Sequence, residues 1–235
     1  MHLDLTHLGE DVIGEKLVEI IEFAKTYVGV DARKNPIPVQ PTCHYMMGGI
    51  ATDANARVII DAENTPFPGL YAAGECACVS VQGANRLGCN SLLDTLVFGR
   101  RSGMEMRKFI HSTGYPNVPG DLEDLEAAKI RFLMEKNGTE NLGVIQHEMQ
   151  NVMMKNVSVF RQKETLEEAL ESVRKLKSRF QKVGVIDKGS CFNRNLLDTL
   201  ELGHMLDLAE VMVLGALHRE ESRGAHSRED FPDRD

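Results

Sequence analysis

Between residues 121 and 217 apolar side chains recur at helical spacing among dense charge, and this pattern constrains the fold more than any other feature of the chain. From 121 to 181 it reads as three charged amphipathic helices, broken near Asn137-Gly138 and around Gln162. A further helix begins near Asn193 and runs towards Leu217. Short connections between such helices make antiparallel neighbours, so a helical bundle is expected here. After Leu217 comes a dense run of charge, His218 to Arg228, whose default reading is a solvated loop held by ion pairs.

A linker from Gly114 to Gly120 separates this half from a different one. Val12, Ile13, Leu17, Ile20, Ile21, Ala24 and Val28 keep a helical period, and Gly29 follows as a stop signal. The segment Asn35-Pro36-Ile37-Pro38-Val39-Gln40-Pro41 excludes a helix and favours an extended crossing, because each proline fixes φ and removes a donor. Strands are expected at Arg57-Val58-Ile59-Ile60 and Leu70-Tyr71-Ala72-Ala73, with the turn between them at residues 64–69. A glycine-dotted loop, residues 83–88, leads into a helix whose apolar face includes Leu92, Leu93, Leu96, Val97, Met104 and Phe109.

Composition narrows the function. The chain has 235 residues, enough for one large domain or two modest ones. Its net charge of -8 argues against nucleic acid or an anionic membrane surface as the main partner, and leaves room for a local basic pocket. The most apolar late stretch, 206–217, is too short for a bilayer and carries Asp207 and Glu210. The first residues lack the basic cluster of a signal peptide. Five cysteines without a disulfide rhythm suit a reducing compartment, and Cys76-x-Cys78 has the wrong spacing for a zinc site, so no metal is expected.

Chemistry concentrates in three pieces. In Thr42-Cys43-His44-Tyr45-Met46-Met47-Gly48-Gly49 a histidine donor lies beside glycine backbone that a flat ligand can approach. Taken alone, His44 is also what a hydrogen-bonded structural histidine looks like. In Pro68-Gly69-Leu70-Tyr71-Ala72-Ala73-Gly74-Glu75 an apolar strand ends on a carboxylate, placed to accept from a cofactor hydroxyl or simply to face water. In Gly83-Ala84-Asn85-Arg86-Leu87-Gly88-Cys89-Asn90-Ser91-Leu92-Leu93 a polar loop enters a helix, with Asn90 or Ser91 suited to the N-cap. Free amides at such a terminus attract negative charge, which suits a reduced, anionic flavin ring. Arg86 just upstream has the fork geometry to clamp a carboxylate; its plainer reading is a surface ion pair.

These three pieces, together with Glu221-Ser222-Arg223-Gly224-Ala225-His226-Ser227-Arg228-Glu229-Asp230-Phe231-Pro232-Asp233, resemble the succinate dehydrogenase flavoprotein family over nearly the whole chain. Fumarate reductases and L-aspartate oxidase share the wider group, and Pro41 to Met47 looks more like the succinate dehydrogenase branch. The resemblance implies FAD as cofactor, held by Glu75, Asn90, Ser91, Leu92, Gly48 and Gly49. It implies His44 and Arg86 as catalytic ligands of the substrate carboxylates. The implied reaction takes a hydride and a proton from succinate, leaving fumarate; held carboxylates keep the central bond in a reactive pose and stabilise developing charge. It also implies an iron-sulfur subunit that takes the electrons, membrane-anchor subunits and quinone beyond it, and a peripheral place on the bacterial cytoplasmic membrane or the mitochondrial matrix face.

The departures from the family pattern matter equally. No G-x-G-x-x-G follows an early strand. The capping segment that supplies the family's proton-accepting arginine is not in this sequence, and Cys89 stands where a glycine, serine or threonine is expected. The expected fold is α/β plus all-α: residues 1–43 as the tail of a capping domain, and 44–118 as the C-terminal part of an FAD-binding domain. A helical domain at 119–218 and the start of a truncated C-terminal region at 219–235 complete it. The sequence thus reads as the C-terminal part of an enzyme. Two alternatives stay open: a fumarate reductase, and a catalytically silent chain acting only as a subunit-interaction module.

Overall fold

The computed structural model describes residues 1–40 and 42–235; Pro41, and with it one residue of the extended segment and of the dehydrogenase-like stretch, lies outside the described residues. The chain divides into two compact units, Met1–Met46 and Met47–Asp235.

In the first unit β1 (His2–Leu3) pairs antiparallel with β2 (Ile37–Pro38), so the proline-rich segment is extended at residues 37–38 as expected. Proline is tolerated on so short an edge because no ladder donor is demanded of it. The single helix expected across Val12 to Val28 is instead two α-helices and a π turn: α1 (Glu10–Lys16), α2 (Val18–Phe23) and Ala24–Val28. The break falls at Leu17 (φ -126°, ψ 27°), between Gly14 and the β-branched Val18, Ile20 and Ile21, all weak helix formers. Gly29 ends the run in the left-handed conformation (φ 71°), the stop expected of it. Ile13 and Ala24 are buried, the latter with Ala32 and Ile37, while Val12, Ile20 and Val28 remain exposed.

The second unit opens with two small ladders. Here β3 (Ile50–Ala51) runs parallel to β6 (Ala77–Cys78), and β4 (Arg57–Ile59) pairs antiparallel with β5 (Pro66–Tyr71). The strand at β4 agrees with expectation, whereas β5 starts at Pro66, inside the segment expected to be turn. The turn proper lies earlier, where the Asp61 carboxylate accepts from the Thr65 N–H (2.9 Å) and Ile60 N–H donates to the Thr65 carbonyl (3.1 Å). Pro66 and Pro68 are accommodated because β5 has one partner strand and its register shifts between Arg57 and Ile59.

Next, α3 (Asn90–Thr113) ends before Gly114. Its Phe109 ring lies against Gly69 of β5, where an added Cβ would come within 3.2 Å of the ring. The rest of its expected apolar face, Leu92, Leu93, Leu96, Val97 and Met104, is exposed, and the helix buries Asp94 and Ser102 instead.

The helical half follows the sequence closely: α4 (Asp124–Glu135), α5 (Leu142–Asn156), α6 (Lys163–Phe180) and α7 (Arg194–His218), with breaks at Asn137-Gly138 and Gln162. Asn141 and Asn193 cap α5 and α7 by accepting from the Val144 and Leu196 amides at 3.2 and 2.8 Å. Ile145, Met149, Val173, Leu176, Leu202 and Leu206 form one buried cluster; Val157, Leu166, Ala169, Val213 and Ala216 form another. Early α5 therefore meets late α6, and early α6 meets late α7, which makes α5, α6 and α7 an antiparallel bundle. Arg174 and Lys177 tie α6 to Glu210 of α7 at 2.8 and 2.7 Å.

The run after α7 departs from the solvated loop expected there. β7 (Phe160–Arg161) pairs parallel with β8 (Ser227–Arg228), and Arg228 is 1% exposed. Its guanidinium donates to the carbonyls of Ala216 (2.8 Å), Leu217 (3.2 Å) and Arg219 (3.1 Å) and forks onto Asp230 at 2.8 Å. A buried cation is tolerable only with such complete pairing, and here it also neutralises the carbonyl end of α7. Among the described residues no helix is long and apolar enough to cross a membrane.

Candidate functional site

The structure knits together the sequence pieces that lie in the second unit. Gly49 (φ 116°) runs so close to the Cys76 carbonyl that an added Cβ would stand 2.4 Å from its oxygen, and Ile50 N–H donates to that oxygen at 2.9 Å. The close approach that requires this glycine is thus to protein backbone; beside Gly48 (φ 106°), by contrast, nothing lies within 4 Å of where a Cβ would be. Gly74, buried with φ 82°, packs against Thr95 one turn into α3, and Glu75 follows it, exposed. Gly48-Gly49, Gly74-Glu75 and the start of α3 therefore surround one region. His44 is exposed and belongs to the first unit.

At the start of α3 the N-cap is Cys89, not Asn90 or Ser91. Cys89 sits in the left-handed region (φ 66°) and offers no side-chain cap, while Asn90 and Ser91 are the first two helical residues. The loop's tight turn demands this: Asn90 N–H reaches back to the Leu87 carbonyl at 3.2 Å, which moves the helix start ahead of both residues whose side chains suit a cap. Freed from capping, the Ser91 hydroxyl is buried and has no hydrogen-bond partner among the described residues. Leu92 is 69% exposed beside it. Arg86 is half-buried, with Nη1 donating to the Leu87 carbonyl at 3.4 Å.

Two features of the site were not legible as such in the sequence. Gln82 donates to Asp94 (3.1 Å) and to the Asn90 carbonyl (3.4 Å), tying the loop entrance to the first turn of α3. Ala84, two residues before Arg86, accepts a hydrogen bond from the Ala225 N–H at 3.0 Å. A polar residue before a glycine-rich loop hints at the first; the turn residues Arg223-Gly224 hint that something folds back near the second, without saying where.

An orphaned hydroxyl at a helix start, backbone approachable at Gly48, and an exposed carboxylate after Gly74 make a donor and acceptor set that fits a flat, polar-edged cofactor. The protein class follows from the chain's matches: residues 1–92 match the FAD binding domain family and residues 146–235 match the fumarate reductase flavoprotein C-term family. FAD is the cofactor of the matched domain. The succinate dehydrogenase flavoprotein subunit of Coxiella burnetii is 41% identical over 99% of this chain and 40% of its own length. Escherichia coli quinol fumarate reductase FrdA, solved as a point variant, superposes with a TM-score of 0.89 at 42% identity, over 100% of this chain and 40% of that one. Mycobacterium smegmatis Sdh1, solved in complex with UQ1, gives a TM-score of 0.85 at 33% identity, over 100% of this chain and 38% of that one. The chain is thus similar to succinate dehydrogenase and fumarate reductase flavoprotein subunits, and it spans about 40% of the length of the curated relatives it matches.

Proposed function

We propose that this chain forms the C-terminal portion of a flavoprotein that oxidises succinate to fumarate, with His44 and Arg86 holding the substrate carboxylates. The observation that carries the reading is the junction at the start of α3. A half-buried guanidinium lies four residues before a helix terminus whose second residue, Ser91, keeps a buried hydroxyl unpartnered among the described residues. A guanidinium fork matches a carboxylate, and helix-terminal donors match an electron-rich ring. Ser91, Asn90 and Leu92 would contact FAD at the helix start, Glu75 would accept from one of its hydroxyls, and Gly48 with Gly49 would line its flat face. When bound, FAD supplies the two-electron redox chemistry. His44 and Arg86 bind and orient the dicarboxylate, and the Arg86 guanidinium charge favours the carbanion-like character that develops as a proton leaves.

The family's two directions share this chemistry. Succinate oxidation is the direction we propose, on the Thr42-Cys43-His44-Tyr45-Met46-Met47 stretch and on relatives such as the Coxiella subunit; a fumarate reductase among the structural relatives makes reduction the alternative. The partners proposed are an iron-sulfur subunit and, through it, membrane-anchor subunits and quinone, with the protein peripheral on the membrane. The domain division proposed is a capping-domain tail at 1–43, part of the FAD domain at 44–118, the helical domain at 119–218 and a C-terminal region from 219.

The test uses complementation. With FAD alone the chain is expected to be colourless and inactive. Mixed with a separately expressed N-terminal portion of a full-length relative, it is expected to regain flavin absorbance and succinate-dependent dye reduction. A mixture that binds FAD yet ignores both succinate and fumarate would overturn the reading; binding of the N-terminal portion with no flavin uptake would favour an interaction module.

A further inference from the structure

The charged segment after α7 has a role the proposed chemistry leaves unused. Its residues 223–226 form a tight turn closed by two backbone bonds, Arg223 N–H to the His226 carbonyl (2.8 Å) and His226 N–H to the Arg223 carbonyl (3.1 Å). The tip of that turn meets the Arg86 loop. Ala225 N–H donates to the Ala84 carbonyl at 3.0 Å. Gly224 adopts φ 61°, and an added Cβ would stand 2.6 Å from both the carbonyl carbon and oxygen of Ala84 and 2.8 Å from its Cβ. Backbone atoms cannot yield cheaply to such a contact, so only glycine fits.

The turn is in turn anchored to the bundle. His226 Nε2 pairs with the Arg219 carbonyl (3.0 Å), which puts the ring proton there and leaves Nδ1 to accept from Arg161 Nη1 at 2.7 Å. Arg161 Nε donates to the Val157 and Ser158 carbonyls at the end of α5, both at 2.9 Å. Arg228 holds the end of α7 by its carbonyl contacts. A continuous path of bonds therefore runs from the helix ends through His226 to Ala84, two residues from Arg86.

We propose that the 223–226 turn is the positioning element for Arg86: it seats the loop backbone so that the guanidinium is held in place for a substrate carboxylate. The seat is a property of the fold; its effect on substrate rests on the functional reading above. Gly224→Asn keeps the left-handed backbone, which asparagine tolerates, while driving a Cβ into Ala84. Gly29→Asn, left-handed with open space around it, controls for the residue change itself.

Hydrogen–deuterium exchange on this chain is the direct measurement. Gly224→Asn is expected to speed exchange of the amides at 84–87 at least about tenfold, with α5, α6 and α7 unchanged, and Gly29→Asn to leave 84–87 as in the parent. Unchanged exchange at 84–87 in a folded Gly224→Asn protein would overturn the proposal. If that variant does not fold, the parent chain in low denaturant decides: amides 84–87 and 225 are expected to open together, and independent opening would contradict the seat. In the complemented enzyme Gly224→Asn is expected to raise the succinate KM about tenfold with flavin content intact and kcat changed less, the signature of lost substrate positioning. An unaltered KM would refute the link to Arg86. Failure of complementation would count against the functional reading, while the exchange result would still judge the seat.

Discussion

Cys89 illustrates how a single residue is shaped by its backbone. It occupies a left-handed conformation, φ 66°, at the entrance to α3, where a side chain with a Cβ is strained by about 1 kcal/mol. Cys89→Gly is therefore expected to stabilise the chain by roughly that amount in a urea melt. His226 carries a second residue-scale prediction. Burial, together with the nearby positive charges of Arg161, Arg219 and Arg228, holds its pKa below the ordinary 6.5, against the pull of its bond to the Arg219 carbonyl. The folded state thus resists protonating it. Its contribution is fully present above pH 6.5 and is lost as the pH falls through the lowered folded value. Asp230, held at about 2 by the Arg228 fork, adds a separate loss only below its ordinary value of 3.8. Stability measured against pH is expected to step down in these two windows, and His226→Gln is expected to remove the upper one while leaving the lower.

At the scale of elements the helical half was legible because period and punctuation agreed. Asn193 precedes an apolar run, and it caps α7 while its amide also bonds the Asp187 and Gly189 carbonyls at 2.7 and 2.9 Å. Asn193→Ala is expected to cost about 2 kcal/mol, the upper end for a cap because two further carbonyls lose their donor; a change below half that would mean the loop at 187–189 is held some other way. Elsewhere local signals competed. Pro66 and Pro68 read as turn formers, yet a strand with one neighbour accepts them, so β5 begins where a turn was expected. Asn90 and Ser91 had the right chemistry for an N-cap, and the backbone turn from Leu87 moved the helix start ahead of them. In the site, Arg86 and Ser91 could be singled out from residue type and spacing; the contact of Ala225 with Ala84 spans 141 positions (225 minus 84) and leaves no local pattern to read.

For the molecule as a whole, the two halves stand in different states of burial. The α5–α6–α7 bundle encloses its apolar residues, with Ile145, Leu166, Val173 and Val213 at 0% exposure. In contrast α3 presents Leu92 at 69% and Leu96 at 70% exposure beside the proposed cofactor contacts. Exposed apolar side chains grouped in this way mark a surface suited to packing against a ligand or another protein surface. If Arg86 is the carboxylate clamp proposed for a succinate-oxidising flavoprotein, Arg86→Ala in the complemented enzyme removes it. The expected result is a fall in kcat/KM for succinate of about a thousandfold, with flavin absorbance and the melting of the helical bundle unchanged. Turnover within about threefold of the parent, at equal flavin content, would contradict it.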